Sequence, residues 1–248
     1  MIPALKAEFR KLLTVRSTYG IIAISLAIVA LFAGFGEGFR GSTQYLLHTP
    51  GLLASESYSA IVFVGLVLAF AGLLLMGHEY RFTTIMYTLT SQNRRYKVLL
   101  AKFIAISTFA ALMTLLITFF SPLCTIIGAH LHGHQIGPQT FDYWSVIWRC
   151  LFCGWGYAIY AFVLVAIMRN QIGAIVTFLL VPLVGENIFT LLFKHYAKYL
   201  PFTSLQSIVQ PTGLGNHTTV GQASATVLVY IAIGLVVSTL LFWRRDAN

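Results

Sequence analysis

Between Lys102 and Asp142 the chain carries no Asp, Glu, Lys or Arg. It is equally free of them from Arg149 to Arg169, from Arg169 to Glu186 and from Lys198 to Arg244. About 20 apolar residues in a helix, rising ~1.5 Å each, cross the ~30 Å hydrocarbon core of a bilayer. A water-soluble domain carries about 25% charged residues, whereas this chain carries 9%, with 58% hydrophobic. In lipid every backbone N–H and C=O must be satisfied within the segment, and a helix does that. The sequence therefore specifies an all-α integral membrane protein.

Six spans are expected, at about Ser17–Phe35, Tyr58–Met76, Phe103–Ile127, Val146–Met168, Gln171–Phe193 and Ala223–Trp243. Basic residues precede the first, but its apolar stretch exceeds the ~7–15 residues of a signal peptide and further spans follow, so it reads as an uncleaved span. Pro182 interrupts the fifth, which predicts a kink or re-entrant turn there. Residues 1–248 read as a single transmembrane domain, since the longest stretch outside the spans, Lys194 to Gln222, is too short for a separate soluble unit. The aromatic first half of that stretch is expected to form short helices at the membrane face.

Ahead of the first span, Ile2, Leu5, Phe9, Leu12 and Leu13 recur at helical spacing, with Lys6, Glu8, Arg10 and Lys11 between them. That pattern predicts an amphipathic helix over about residues 2–16, lying on the membrane surface. The basic residues are distributed unevenly. Twelve of the 16 fall on the side of both chain ends, and Arg40, Arg149, Lys194 and Lys198 fall on the other. The excess of basic residues on one side places both termini in the cytoplasm. It also accounts for the net charge of +9 without invoking nucleic acid.

The sequence contains no G-x-x-x-x-G-K-[ST] loop, H-E-x-x-H or G-x-S-x-G motif, so the chain is not expected to be an enzyme or to bind a nucleotide. Glu186 is the one carboxylate that an ion-coupled carrier could use. His130, His132 and His134 alternate and would face one way in an extended segment, a weak metal-site candidate beside the reading as a solvated loop. Cys124, Cys150 and Cys153 read as small apolar packing residues. Gly65, Ala69 and Gly72 share a helical face, which predicts close packing against another span, within the subunit or across a homodimer.

The segment between the second and third spans is the charged part of the sequence. Glu79-Tyr80-Arg81-Phe82-x-Thr84-Ile85, then Leu89, Arg94, Arg95 and Lys102, resembles the signature loop of the type 2 ABC export permeases. Ala7-Glu8-Phe9-Arg10-Lys11-Leu12 is similar to the same family's N-terminal helix, and Leu200-Pro201-Phe202 and Trp243-Arg244-Arg245-Asp246 to its last outer loop and tail. Thr83 stands where many members have Gly, and Gln92 where Pro is common. The resemblance implies a cytoplasmic coupling elbow between helices 2 and 3 that docks, with the N-terminal helix, on a separate ATPase subunit holding ATP and Mg. Glu8, Arg10, Lys11, Glu79, Tyr80, Arg81, Arg94, Arg95 and Lys102 would serve that coupling, with Glu79 paired to Arg81. Gly65, Ala69, Gly72, Pro182 and Glu186 would serve the pathway or a dimer contact with a second or paralogous permease in a bacterial-type inner membrane. The shortage of charge within the spans favours an amphipathic or lipid-like cargo over a small ion. The alternatives are an ion-coupled secondary carrier and a non-transporting membrane scaffold or sensor.

Overall fold

The computed structural model describes residues 2–39, 51–82, 95–131, 136–210 and 219–244. Among them there is no strand. The elements are α1 (Ile2–Thr14), α2 (Arg16–Val29, running on as a π-helix over Ala30–Phe39), α3 (Leu52–Arg81), α4 (Arg95–Leu131), α5 (Tyr143–Met168), α6 (Gln171–Leu180), α7 (Glu186–Leu192), α8 (Pro201–Val209) and α9 (Val220–Arg244). A π-helical turn, Val181–Gly185, joins α6 to α7, and a 3-10 turn, Lys194–Tyr199, precedes α8. Six of the helical stretches are long and apolar enough to cross a membrane: Arg16–Gly34, Leu52–Arg81, Lys97–Leu131, Tyr143–Met168, Gln171–Leu192 and Val220–Leu241. The protein is a multi-pass, all-α membrane protein.

The spans match the expected ones in number and order, but the second and third are longer at both ends. α3 has 30 residues and α4 has 37, or about 45 and 55 Å of helix. Charge ends the apolar stretch without ending the helix, because the backbone gains nothing by leaving the helix until it reaches water. Glu79 is thereby an in-helix residue of α3, and Lys102 one of α4. The elbow itself, residues 83–94, lies outside the described residues, as do Arg94, Arg245 and Asp246; Arg95 opens α4 but its side chain is not described.

α3 and α5 form the centre. Over their most apolar stretches 56% and 67% of residues are buried, against 11% and 17% in the fifth and sixth spans. The face Gly65–Ala69–Gly72 is used here, within the subunit. A Cβ on Gly65 would lie 2.5 Å from the Tyr157 ring. One on Gly72 would run into the carbonyl of Ala158 and lie 3.2 Å from the Phe162 nitrogen. Small residues on α3 let its backbone approach that of α5 closely, so this stripe is covered by the chain's own fourth span and is not left for a second copy.

Two prolines interrupt spans, and at the first of them the freed carbonyl has a substitute donor. Pro122 has no N–H to offer the carbonyl of Thr118 four residues back. The Ser57 hydroxyl of α3 donates to that carbonyl at 3.0 Å, and Ser57 is fully buried. Cys150 Sγ lies 3.7 Å from the Ser57 carbonyl, so one serine backbone and hydroxyl knit three spans. At Pro182 the chain shifts into the π turn, and the Asn187 amide donates to the Leu183 carbonyl at 2.8 Å. The π turn stands where the sequence predicts a kink or re-entrant turn. Cys124, Cys150 and Cys153 are buried and free.

The short helices after the fifth span are present as expected, and α8 goes further. Its Phe202, Leu205, Ile208 and Val209 are buried in the main core. Phe202 lies against the rings of Tyr157, Tyr160 and Phe178 at centroid distances of 5.9, 5.8 and 5.2 Å. At the opposite face Arg169, in a left-handed turn (φ 54°), donates to the Leu241 carbonyl at 2.8 Å. That bond ties the α5–α6 connection to the end of α9.

Candidate functional site: a buried ion cluster joining three helices

The amphipathic helix α1 ends at Thr14, and Val15 takes an extended conformation (φ −79°, ψ 126°) before α2 begins. The corner is braced by the Tyr19 hydroxyl, which donates to the Leu13 carbonyl at 2.6 Å. This bend lays α1 across the end of α3 and the beginning of α4. Leu12 and Glu8, both on its inner side, are 6% and 3% exposed.

There four charged side chains meet. Lys102 is fully buried, and its ammonium donates to Glu8 Oε1 at 3.1 Å, Glu8 Oε2 at 3.0 Å and Glu79 Oε1 at 2.6 Å. Lys11 donates to the same Glu79 oxygen at 2.6 Å and to Glu8 Oε1 at 3.0 Å. The cluster is electrically neutral as a set. Burial alone would push the Lys11 ammonium towards the neutral form, but the carboxylates of Glu79 and Glu8 outweigh it and raise its pKa above the ordinary lysine value. The support this gives the fold is complete below that ordinary value and is lost only as pH rises through the higher one.

This arrangement corrects the expected pairing of Glu79 with Arg81. Residues two apart on a helix do not face each other, and Arg81 is exposed, its guanidinium 5.5 Å from the Phe82 ring centroid. The energetic regime changes as well. An exposed pair contributes ~0–1 kcal/mol, whereas removing one partner from a buried cluster costs about 3–5 kcal/mol. Because replacing a whole buried ion cluster with apolar groups is often neutral, the cluster's particular contribution is geometric. It fixes α1 against the end of α3 and the beginning of α4.

The remaining expected residues fall in different places. Arg10 is exposed on α1, and Tyr80 is partly buried with its hydroxyl unbonded. Of the nine expected coupling residues, Glu8, Glu79 and Lys102 face one another inside the protein, while Arg10 and Arg81 face outward. Pro182 is half-buried in the π turn. His130 is exposed at the end of α4, and His132 and His134 lie outside the described residues.

Glu186 has an occupied carboxylate. Its Oε1 accepts from the Phe202 N–H at 2.8 Å, and its Oε2 from the Thr203 N–H and hydroxyl, both at 2.7 Å. These are the unpaired N–H groups at the start of α8, so Glu186 caps that helix from a neighbouring one. An ion-coupling role would have to release these bonds. Glu186→Ala is expected to destabilise the protein by roughly 3 kcal/mol by leaving buried donors without an acceptor. Glu186→Gln, which keeps one acceptor, should cost less. Thermal unfolding of both variants in detergent checks the order; a Glu186→Ala protein as stable as the parent would contradict the capping role.

Ser57 and the inward side of Glu8 were not legible as functional positions from the sequence. For Glu8 a signal exists: with Leu5 and Leu12 it lies on the apolar stripe of α1, and a carboxylate there needs a buried cation.

The site and fold define a six-span, all-α membrane protein with a surface helix locked to its second and third spans. Compared with protein-family models and with curated proteins, the chain matches none.

Proposed function

We propose that the chain is the permease subunit of an ATP-driven ABC exporter. It forms half of a membrane pathway together with a second copy or a paralogous permease, and a separate ATPase subunit supplies ATP, Mg and the hydrolysis. One observation carries the reading. The Glu8–Lys11–Glu79–Lys102 cluster ties α1 to the two helices, α3 and α4, that flank residues 83–94, so a push delivered to these two helices moves the surface helix with them. A coupling element needs that stiffness. The likeness of this segment to the type 2 export permeases, and the lack of any phosphate-binding loop in the chain, support the same reading. The asymmetry of basic residues puts both termini and the elbow on the cytoplasmic face of a bacterial-type cell membrane.

The test is purification of the tagged chain in mild detergent from its native membrane, with mass spectrometry of co-purifying proteins. A stoichiometric soluble ATPase is expected, and it should be lost when residues 83–94 are replaced by a Gly-Ser segment of equal length. Recovery of the chain without any ATPase in several detergents would overturn the proposal.

A further inference from the structure

The outward surface of α1 carries charge that no described residue answers. At ~100° per residue, Glu8 and Leu12 turn towards α3 and α4, and both are buried. Phe9 and Leu13 follow on one flank of the helix, and Lys11 and Thr14 on the other. Lys6 and Arg10 lie opposite the buried side and adjoin the Phe9–Leu13 flank. Both are exposed, as is Arg16 just beyond the corner at Val15. Glu8 is the only carboxylate of the helix, and Lys11 and Lys102 hold it inside. Among the described residues Lys6, Arg10 and Arg16 form no ion pair.

The apolar flank fixes the level at which these cations sit. Leu13 is 68% exposed, and the exposed side chains of Val15, Tyr19 and Ile24 carry that apolar surface on into the first span. Such a surface is stable in the acyl region of a bilayer and costly in water. With Phe9 and Leu13 directed into the membrane and Glu8 held against α3 and α4, Lys6 and Arg10 project sideways at the height of the headgroups. Arg16 stands at the same level, where the span begins, although a cation in the first turn opposes the helix dipole. What stabilises three cations in that layer is an anion in the same layer. Basic side chains bordering an apolar helix flank are the arrangement by which a surface helix holds anionic lipid.

We propose that Lys6, Arg10 and Arg16 bind the headgroups of anionic phospholipids in the leaflet on which α1 lies. A zwitterionic lipid offers the same phosphate but cancels its charge with its own ammonium, so it is held less well. The proposal takes Arg10 out of the coupling set that the resemblance implies and leaves Glu8, Lys11, Glu79 and Lys102 in it. Because those four lock α1 to α3 and α4, lipid bound on the outer side of the helix anchors the second and third spans as well. The inference does not rest on the permease reading, since the preference is read on the chain alone.

Native mass spectrometry of the purified full chain, with phosphatidylglycerol and phosphatidylcholine of identical acyl chains, measures the preference. Phosphatidylglycerol should be retained on the order of tenfold above phosphatidylcholine, the scale of two basic side chains near a charged surface. In Lys6→Gln/Arg10→Gln the preference should fall to about twofold, the part left to Arg16. The melting temperature should hold in that variant, because both side chains are exposed and make no ion pair. Lys198→Gln removes a charge from the opposite face of the membrane and should leave the preference intact. Equal retention of the two lipids by the parent would overturn the proposal, as would an undiminished preference in the double variant. An equal fall in Lys198→Gln would do the same, by showing that net charge rather than α1 sets the preference. Loss of a co-purifying ATPase from the double variant, with its lipid preference intact, would make this surface a protein-docking one instead.

Discussion

Replacing Lys102 with methionine will lower the melting temperature of the purified protein by roughly 10 °C, the equivalent of the 3–5 kcal/mol lost when a buried charge loses its partner. Methionine matches the length of the lysine stem, so the packing around Val98, Ala105 and Ile106 on α4 is little changed. What is lost is charge. Glu8 and Glu79, 3% and 6% exposed, would share the single ammonium of Lys11, and one carboxylate would be buried without compensation. Adding Glu79→Gln to Lys102→Met restores neutrality and should recover at least half of the loss. Lys102→Arg should not rescue, because a planar guanidinium is larger than the fully enclosed space that a compact ammonium fills. If the Lys102→Met protein melts with the parent, the cluster does not hold α1 in place, and the mechanical basis of the coupling proposal fails with it.

Gly72→Ala will be the second severe change, destabilising the protein by about 3 kcal/mol. The added methyl would meet the carbonyl of Ala158 and the backbone nitrogen of Phe162. Neither can swing aside as a side-chain end could, so α3 and α5 must separate along the most extensive helix–helix contact among the described residues. Gly20→Ala provides the contrast, since nothing beyond the helix's own neighbouring backbone lies within 4 Å of the new Cβ. There the gain in helix propensity should stabilise by up to about 1 kcal/mol. Unfolding of both variants by titration with a denaturing detergent compares them. A Gly72→Ala protein that folds normally but fails to dimerise would return this stripe to an intersubunit role and contradict its packing on α5.

The six spans were legible because the bilayer imposes a one-dimensional constraint, and a charge-free stretch of sufficient length satisfies it whatever its neighbours do. The surface helix was legible for a similar reason, through the spacing of Leu5, Phe9 and Leu12. The ends of the spans were less so. Glu79 and Lys102 close apolar stretches in the sequence, yet they lie on the same faces of α3 and α4 as Met76 and Ile106 and are as deeply enclosed.

What the sequence by itself determined was the membrane-spanning helical architecture, the surface helix and the concentration of charge between the second and third spans, all consequences of local hydrophobic pattern. Only the tertiary structure decided which charges meet. Lys102 reaches Glu8, 94 positions away, and Lys11 reaches Glu79, 68 positions away, because α1 folds back at Val15 and lies across the two span ends. The same holds for Glu186, whose role as a helix cap depends on where α8 begins in space, and for the Gly65–Gly72 stripe, whose partner is the chain's own α5. A carboxylate's chemistry is written in its residue type, but the choice of its partner depends on distances of a few ångströms, and packing alone sets those.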